Sequence, residues 1–295
     1  MKNMLSNLWA LMLVAISFIF NSYLLALCLG FIYSLIHLLL GHSTPKHYSN
    51  EFFVVVGFCI ILFLLAVGIF NIIPPLSRIL TKSRKPLQSE NEKITKILLN
   101  VMEQIKLHIV LEPKILISDS IIADASCYGA KTIIVGTELL NNYSDSEIAA
   151  VLLHEISHLY NKEGLIIIAI FWINVPMQII MWLYRKYAKI SLRLSDGLNQ
   201  KNSLFSLLSL IPLIVFSPII LLNFVGKILL KIVFMLISRI FEYNADRFTA
   251  KHGYRDELIS FLNKQKILEQ NNTIMAILFA THPSAIKRIA KLERY

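Results

Sequence analysis

The sequence predicts a mainly α-helical membrane protein with about four transmembrane or membrane-embedded helices and a small α+β domain. Of its 295 residues, 56% are hydrophobic and 16% are charged, whereas soluble proteins carry about 25% charged residues. Four apolar runs have the length of a membrane segment, because about 20 apolar residues span the hydrocarbon core. Two short β-type runs, 114–118 and 132–135, lie between amphipathic helical patterns and predict a small sheet.

The apolar runs divide the chain into four predicted parts. The runs are 8–40, 52–73, 165–184 and 204–225. The predicted parts are an N-terminal transmembrane pair (1–75), a soluble part (76–163), a second membrane-embedded pair (164–226) and a C-terminal part (227–295). The first run is expected to remain as an anchor, because it is longer than the apolar core of a signal peptide.

The net charge of +10 is attributed to the lipid bilayer and to topology, not to a nucleic-acid partner, because the basic residues mostly flank apolar runs. By the positive-inside rule, the basic residues after the second run place that end in the cytoplasm: Arg78, Lys82, Arg84 and Lys85. Residues 185–201 are predicted to form a polar loop with five basic residues and one acidic residue. Two full crossings would place this loop outside, against the rule. The second pair therefore either crosses in spite of the rule or dips into the membrane, and both alternatives return the chain to the same side.

The motif H-E-x-x-H occupies residues 154–158. On a helix, His154 and His158 lie one turn apart on one face, where both imidazoles can bind one metal ion. Glu155 lies beside them, in the position of a general base for a water molecule. Cys127 is isolated and no C-x-x-C pair occurs in the sequence, so a cysteine zinc site is not expected.

The residues around the motif predict the helix that it requires. Ser144 and Glu147 form an S-x-x-E capping box that starts this helix. Gly164 is expected to end it, and Glu163 is interpreted as a surface charge at that end.

Two histidines leave a catalytic zinc site incomplete, because such sites usually have three protein ligands and an open position. Glu242, in the E-x-x-x-D sequence 242–246, is the candidate third ligand. Asp246 shares its helix face and is a candidate to orient a ligand histidine. His282 precedes a predicted C-terminal helix and is a candidate donor to the oxyanion of a peptide-bond hydrolysis. In this reaction Glu155 would transfer a proton from water to the leaving amine, with one Zn²⁺ per chain as the cofactor.

Together these residues resemble the HtpX-type integral-membrane zinc metalloproteases, a family related to the CAAX prenyl endoproteases. The resemblance covers nearly the whole chain and includes residues 146–153 leading into the motif, the E-x-x-x-D sequence, and Thr281-His282-Pro283 followed by Arg288-Ile289. It implies a gluzincin-type zinc protease domain. It also implies roles for individual residues: zinc ligands at His154, His158 and Glu242, a general base at Glu155, support from Asp246, a transition-state role for His282, and an arginine that pairs near the site at Arg288.

The resemblance implies a multi-pass endopeptidase of the cell inner membrane with its active site facing the cytoplasm. Its expected role is protein quality control in the stress response, with misfolded membrane proteins or peptides as substrates. The alternatives are a CAAX-type prenyl endopeptidase and a non-cleaving zinc-binding membrane sensor or scaffold. The intact Glu155 argues against the sensor.

Two departures from the family pattern bear on substrate preference. Ser157 replaces the glycine of the common H-E-L-G-H form. Asp124-Ala125-Ser126-Cys127 stands where the family has N-A-F-A, a stretch associated with the edge strand that receives substrate. Because strand addition uses backbone hydrogen bonds, binding can survive this change while side-chain preference differs.

Overall fold

The computed structural model describes residues 2–39, 50–69, 78–79, 81–104, 113–120, 123–129, 131–198, 203–269 and 283–295. The helices are α1 (Lys2–Leu39), α2 (Asn50–Ile69), α3 (Gln88–Gln104), α4 (Thr137–Asn142), α5 (Asp145–Tyr160), α6 (Glu163–Leu198), α7 (Ser203–Lys251), α8 (Arg255–Glu269) and α9 (Ala285–Leu292). The strands are β1 (Ser83–Arg84), β2 (Lys114–Ser118), β3 (Ala125–Tyr128) and β4 (Thr132–Gly136).

This mostly helical architecture confirms the predicted fold class. Within the described ranges, three helical segments are long and apolar enough to cross a membrane: Asn7–Ser34, Glu163–Arg193 and Phe216–Lys251. Glu51–Ala66 is a shorter apolar helix. The described residues therefore contain apolar helices of membrane-spanning length and a small sheet, as the composition and the apolar runs predict.

The predicted polar loop at 185–201 is wrong, because α6 continues without a break to Leu198. Its lysine, arginine and leucine residues are good helix formers, so polarity alone does not end the helix. A helix of 36 residues extends about 54 Å and exceeds a hydrocarbon core of about 30 Å. The run 204–225 likewise lies within one longer helix, α7, which passes through Pro212 and Pro218.

The chain forms two compact units. One contains Met1–Met12, Ile69–Ile168 and Ile232–Tyr295, and the other contains Leu13–Gly68 and Ala169–Lys231. The first unit holds the sheet and the helix with the H-E-x-x-H motif.

Helix α1 contacts two other helices at neighbouring residues in the second unit. The side-chain amide of Asn21 donates to Asn174 Oδ1 of α6 at 3.4 Å. A Cβ added at Gly57 of α2 would lie 2.9 Å from the carbonyl oxygen of Ser22, so this close crossing requires glycine. Small residues and interhelical hydrogen bonds of this kind hold helices together in lipid.

The sheet of the first unit has the order β1-β2-β4-β3, which leaves β3 at one edge. Strands β2 and β4 are parallel, and β3 pairs with β4 antiparallel. The two predicted β-type runs are β2 and β4. Strand β3 lies between these two runs, at the place where the family resemblance implies an edge strand.

Helix α5 forms the centre of the first unit. As predicted, it begins at a capping box, in which the Glu147 N–H donates to Ser144 Oγ at 3.3 Å and the Ser144 N–H donates to the Glu147 carboxylate at 3.0 Å. Every residue from Glu147 to Leu159 is buried. Ile148 and Leu152 pack in one core with Ile133 of the sheet. A helix buried on all sides holds its polar side chains in fixed positions.

Glu147 also joins α5 to α8. Ser260 Oγ and Lys264 Nζ donate to its carboxylate at 2.7 and 2.8 Å. Burial raises the pKa of Glu147, but the hydrogen bonds from Lys264, Ser260 and Ser144 outweigh it and lower the pKa to about 2. A carboxyl with a lowered folded-state pKa stabilises the fold above its unfolded pKa of about 4.3. This contribution is lost as the pH falls towards the folded pKa.

Glu147→Gln should therefore lower the free energy of unfolding by about 2 kcal/mol at about pH 7. The loss should shrink as the pH falls below about 4. Urea unfolding of the purified protein in detergent, at about pH 7 and again below about pH 4, measures the loss of unfolding free energy at each pH. Asp145→Asn, an exposed acid in the first turn of the same helix, should change the free energy by less than about 0.5 kcal/mol. Equal losses for Glu147→Gln at both pH values would contradict the assignment.

Candidate active site

The motif histidines of α5 converge on one point. His154 Nε2 and His158 Nε2 lie 3.1 Å apart, and both side chains are buried. One ligand atom from each of His154, Glu155 and His158 lies within 4.8 Å of the others. The expected arrangement of both imidazoles on one helix face is therefore present.

Glu242 of α7 brings a carboxylate to the same point. Its Oε2 lies 3.4 Å from His154 Nε2, and its Oε1 lies 3.6 Å from His158 Nε2. A tetrahedral zinc with bonds of 2.0–2.1 Å has ligand atoms about 3.3 Å apart. The spacing between the two imidazole nitrogens, and the spacing of each nitrogen from one carboxylate oxygen of Glu242, are close to that value, so the donor set fits one zinc ion.

The charge of the site also favours a cation. The carboxylates of Glu155, Glu163, Glu242 and Asp246 are all buried, with exposures of 6, 2, 4 and 2%. With neutral histidines, these four negative charges and the positive charge of Arg288 leave three negative charges. Buried charges are costly unless paired or bound to metal, and a divalent cation would offset most of this excess.

Neighbouring carboxylates raise the pKa values of both histidines. Burial lowers the pKa of His154, but hydrogen bonds with Asp246 and Glu242 outweigh it and raise the pKa. The pKa of His158 lies well above its usual value, because hydrogen bonds with Glu163 and Glu242 outweigh burial in the same way. Each imidazole thus lies in a strongly cation-attracting environment.

Asp246 and Arg288 form a support behind His154. His154 Nδ1 lies 3.1 Å from Asp246 Oδ1. Arg288 of α9 donates two hydrogen bonds to Asp246, from Nε at 2.9 Å and from Nη2 at 2.6 Å. Arg288 Nη1 also lies 3.3 Å from Glu242 Oε2. The structure therefore brings together the E-x-x-x-D residues and Arg288, as the resemblance implies.

The interpretations of Glu163 and Gly164 are wrong. Helix α5 ends at Tyr160, and α6 begins at Glu163. Glu163 is 2% exposed, and its carboxylate contacts His158 Nδ1. The break between the helices comes from Lys162, whose φ of 58° lies in the left-handed region that few non-glycine residues adopt.

Cys127 is a second residue near the site that was not predicted from the sequence. It lies on β3, and burial together with the charges of Glu155 and Glu163 raises its pKa well above the usual value. The thiol is therefore neutral beside the carboxylates. Strand alternation is a signal that could have placed Cys127 and Ala125 on one face, once β3 is recognised as a strand.

The remaining predicted site residue, His282, lies outside the described residues. The chain is described again from Pro283, and α9 begins at Ala285 with Ser284 as its N-cap. Pro283 therefore precedes the last helix. Ser157, the departure from the common motif, accepts a hydrogen bond at its carbonyl oxygen from the Asn161 side chain at 2.9 Å.

Comparison with known proteins identifies relatives of the chain. The family described as Peptidase family M48 matches residues 88–295. Protease HtpX of Buchnera aphidicola subsp. Schizaphis graminum is 30% identical over 216 residues, which cover 65% of this chain and 70% of that protein. Protease HtpX of Klebsiella pneumoniae is 30% identical and that of Salmonella arizonae 32% identical, each over 56% of this chain. The match spans 59% of each of these two relatives.

A solved structure supports the fold. The crystal structure of S. mikatae Ste24p matches with a TM-score of 0.50 and 21% identity, over 95% of this chain and 66% of that chain. At this identity the likeness concerns the fold alone. The family match covers more than half of the chain, and its residues include the H-E-x-x-H helix, Glu242 and Arg288. The chain therefore belongs to peptidase family M48, as a membrane metalloprotease of the HtpX type.

Proposed function

We propose that this protein is a zinc endopeptidase that cleaves misfolded membrane proteins at the cytoplasmic face of the cell inner membrane. The main support for this proposal is geometric. Two imidazole nitrogens and the Glu242 carboxylate converge at spacings of 3.1–3.6 Å, with Glu155 beside them.

In this proposal His154, His158 and Glu242 hold one zinc ion. The bound ion would lower the pKa of a water molecule to about 7 and polarise the scissile carbonyl. The Glu155 carboxylate accepts the proton of this water and delivers it to the nitrogen of the leaving amine.

The remaining site residues support this step in the same proposal. Asp246, held by Arg288, accepts the Nδ1–H of His154 and keeps its Nε2 lone pair directed at the site. His282 is proposed, on the family resemblance, as the oxyanion donor.

The edge of β3 is the proposed substrate-binding strand. An exposed sheet edge can pair with an extended peptide through backbone hydrogen bonds. A cleft of about 240 Å³ borders this strand, and its lining includes Ser126, Cys127 and Tyr128 of β3 together with Ser118 of β2 and Ile134 of β4. We propose that side chains of the bound peptide enter this cleft.

The surface of α7 supports membrane proteins as substrates. Four of its apolar residues are 40–52% exposed: Ile232, Val233, Leu236 and Ile240. Their spacing places them on one face of the helix, where lipid chains would cover them. Glu242 follows Ile240 by two residues, which is about 3 Å along the helix axis. The zinc site would therefore lie at the membrane surface, within reach of peptide bonds next to a membrane segment.

The basic residues after the second apolar run support the cytoplasmic side. Arg78, Lys82, Arg84 and Lys85 belong to the same compact unit as the zinc site. Under the positive-inside rule, this unit faces the cytoplasm.

The proposal is tested with purified protein in detergent and an unfolded multi-span membrane protein as substrate. Cleavage should stop after zinc chelation and return when zinc is added. Cleavage that persists in the chelated protein would overturn the proposal. In the same assay, preferred cleavage of a prenylated C-terminal peptide would favour the CAAX-type alternative, and zinc binding without any cleavage would favour the sensor.

A further inference from the structure

Glu163 is a buried carboxylate outside both site motifs. It is the first residue of α6, immediately before a long apolar segment. A charged carboxylate with 2% exposure is costly unless it is hydrogen-bonded or paired. Its carboxylate contacts His158 Nδ1. This contact supplies the partner that a buried carboxylate requires.

The contact determines which nitrogen of His158 faces the metal site. A histidine that binds a metal through Nε2 commonly donates its Nδ1–H to a carboxylate, and the Glu163 carboxylate lies in the position of that acceptor. The Nε2 lone pair then faces the point shared with His154 and Glu242. The arrangement matches that of the other histidine, whose Nδ1 lies 3.1 Å from Asp246.

We propose that Glu163 is a positioning residue for the metal, which fixes the tautomer and the ring orientation of His158. The inference rests on the proposed function, because it takes His158 as a zinc ligand. Hydrogen-bonded carboxylates behind ligand histidines typically strengthen metal binding about 10- to 100-fold. Each histidine of the motif would then have its own carboxylate, one from α7 and one from α6.

A short turn sets the position of Glu163 relative to His158. Asn161 and Lys162 alone separate α5 from α6. The Asn161 N–H donates to the Ser157 carbonyl at 3.0 Å. Its side chain donates to the same oxygen at 2.9 Å. Lys162 then reverses the chain with a φ of 58°. This turn leaves little freedom for the first residue of α6.

Gly164 adds a second restraint on the start of α6. A Cβ at this residue would lie 2.4 Å from the carbonyl oxygen of Gly129 and 3.3 Å from Cys127 Sγ. Gly129 itself has a φ of 69° and follows strand β3. The start of α6 therefore packs directly against the end of the edge strand. A side chain at residue 164 would displace Glu163 from His158.

The test measures zinc affinity by competition with a chromogenic chelator, on full-length protein in detergent. Glu163→Ala should weaken zinc binding about 10- to 100-fold. Glu163→Gln is nearly isosteric and keeps an acceptor oxygen, so its loss should be smaller. The control Asp256→Asn, an exposed acid in the first turn of α8, should retain the affinity of the wild type.

A second readout separates positioning from folding. In the cobalt-substituted protein, the visible absorption bands report ligand geometry, so both Glu163 variants should shift them. The control should leave the bands unchanged. The two Glu163 variants should also lower kcat more than they raise KM at saturating metal, because the substrate does not contact Glu163 in this proposal.

Gly164→Ala tests whether the packing at residue 164 acts through Glu163. Alone, it should weaken zinc binding in the same direction as Glu163→Ala. Combined with Glu163→Ala, it should add less than about a twofold further loss, because residues that act through one contact are non-additive. Fully multiplicative losses would show that the packing at Gly164 acts by another route and would overturn this part of the inference.

The outcomes distinguish this inference from the proposed function. If the wild type binds zinc and cleaves its substrate while both Glu163 variants keep its zinc affinity and cobalt spectrum, the positioning role is refuted and the function stands. If the wild type binds no zinc, both are refuted. Weakened binding with shifted cobalt bands in both variants, beside an unchanged control, supports the inference.

Discussion

Replacing Glu155 with glutamine should lower kcat/KM for a membrane-protein substrate by at least about 100-fold, because a positioned general base contributes about 10²- to 10⁴-fold. The glutamine amide keeps the size of the side chain but cannot accept a proton from water. Glu155 is 6% exposed within the core helix, and glutamine has nearly the same shape, so this replacement should leave the fold and the ligand histidines in place. A time course of cleavage at saturating zinc measures the loss.

Two controls define this result. Zinc affinity of Glu155→Gln should stay within about threefold of the wild type, well below the effect of losing even a supporting residue. Asp145→Asn, on the same helix but exposed, should cleave at the wild-type rate. Cleavage by Glu155→Gln at the wild-type rate would remove Glu155 from the mechanism.

Replacing Glu242 with alanine should weaken zinc binding more than the substitutions at Glu155 and Glu163 do. The variant loses a carboxylate that lies 3.4 and 3.6 Å from the two imidazole nitrogens. Zinc should bind more than about 100-fold more weakly, beyond the range that supporting residues contribute. The measurement is the zinc dissociation constant from chelator competition, followed by cleavage at limiting zinc.

Tyr243→Phe is the matched control for Glu242→Ala. Residue 243 is next to Glu242 on α7, and the phenyl ring keeps the contact surface that lies 3.5 Å below the Lys291 ammonium. This variant should bind zinc as the wild type does. Wild-type zinc affinity in Glu242→Ala would exclude Glu242 as a ligand and would direct the search to another carboxylate of the site.

Local signals explain why much of this architecture is predictable. The start of α5 depends on contacts between residues three apart, so the Ser144–Glu147 capping box is visible in the sequence and present in the structure. Strands β2 and β4 are apolar runs that fill the core. The long membrane helices follow from hydropathy and length.

The features that were missed depend on contacts that sequence spacing does not reveal. The break before α6 depends on Lys162, a residue that seldom adopts a left-handed conformation. Without that break, Glu163 and Gly164 read as the end of α5. Strand β3 has small and polar residues, and it is recognisable as a strand through its pairing with β4 or through the family resemblance. The segment after Tyr184 was interpreted as a loop from its charge, although its helix-forming residues continue α6.

The site shows the same division between local and distant information. His154, Glu155 and His158 share one helical turn, so one motif predicts their proximity. Glu242 comes from α7, and its assignment required knowledge of zinc coordination in addition to spacing. The contact of Arg288 with Asp246 joins residues 42 positions apart, and the family resemblance predicted it where periodicity could not.

Zinc K-edge X-ray absorption of the purified wild-type protein identifies the atoms that bind the metal. We expect one zinc per chain, bound at about 2.0–2.1 Å by two imidazole nitrogens together with carboxylate and water oxygens, without a sulfur ligand at about 2.3 Å. A spectrum with a zinc–sulfur shell, which would implicate Cys127, or with a single imidazole would contradict this ligand set. A protein that binds no zinc at all would refute both the zinc site and the proposed endopeptidase activity.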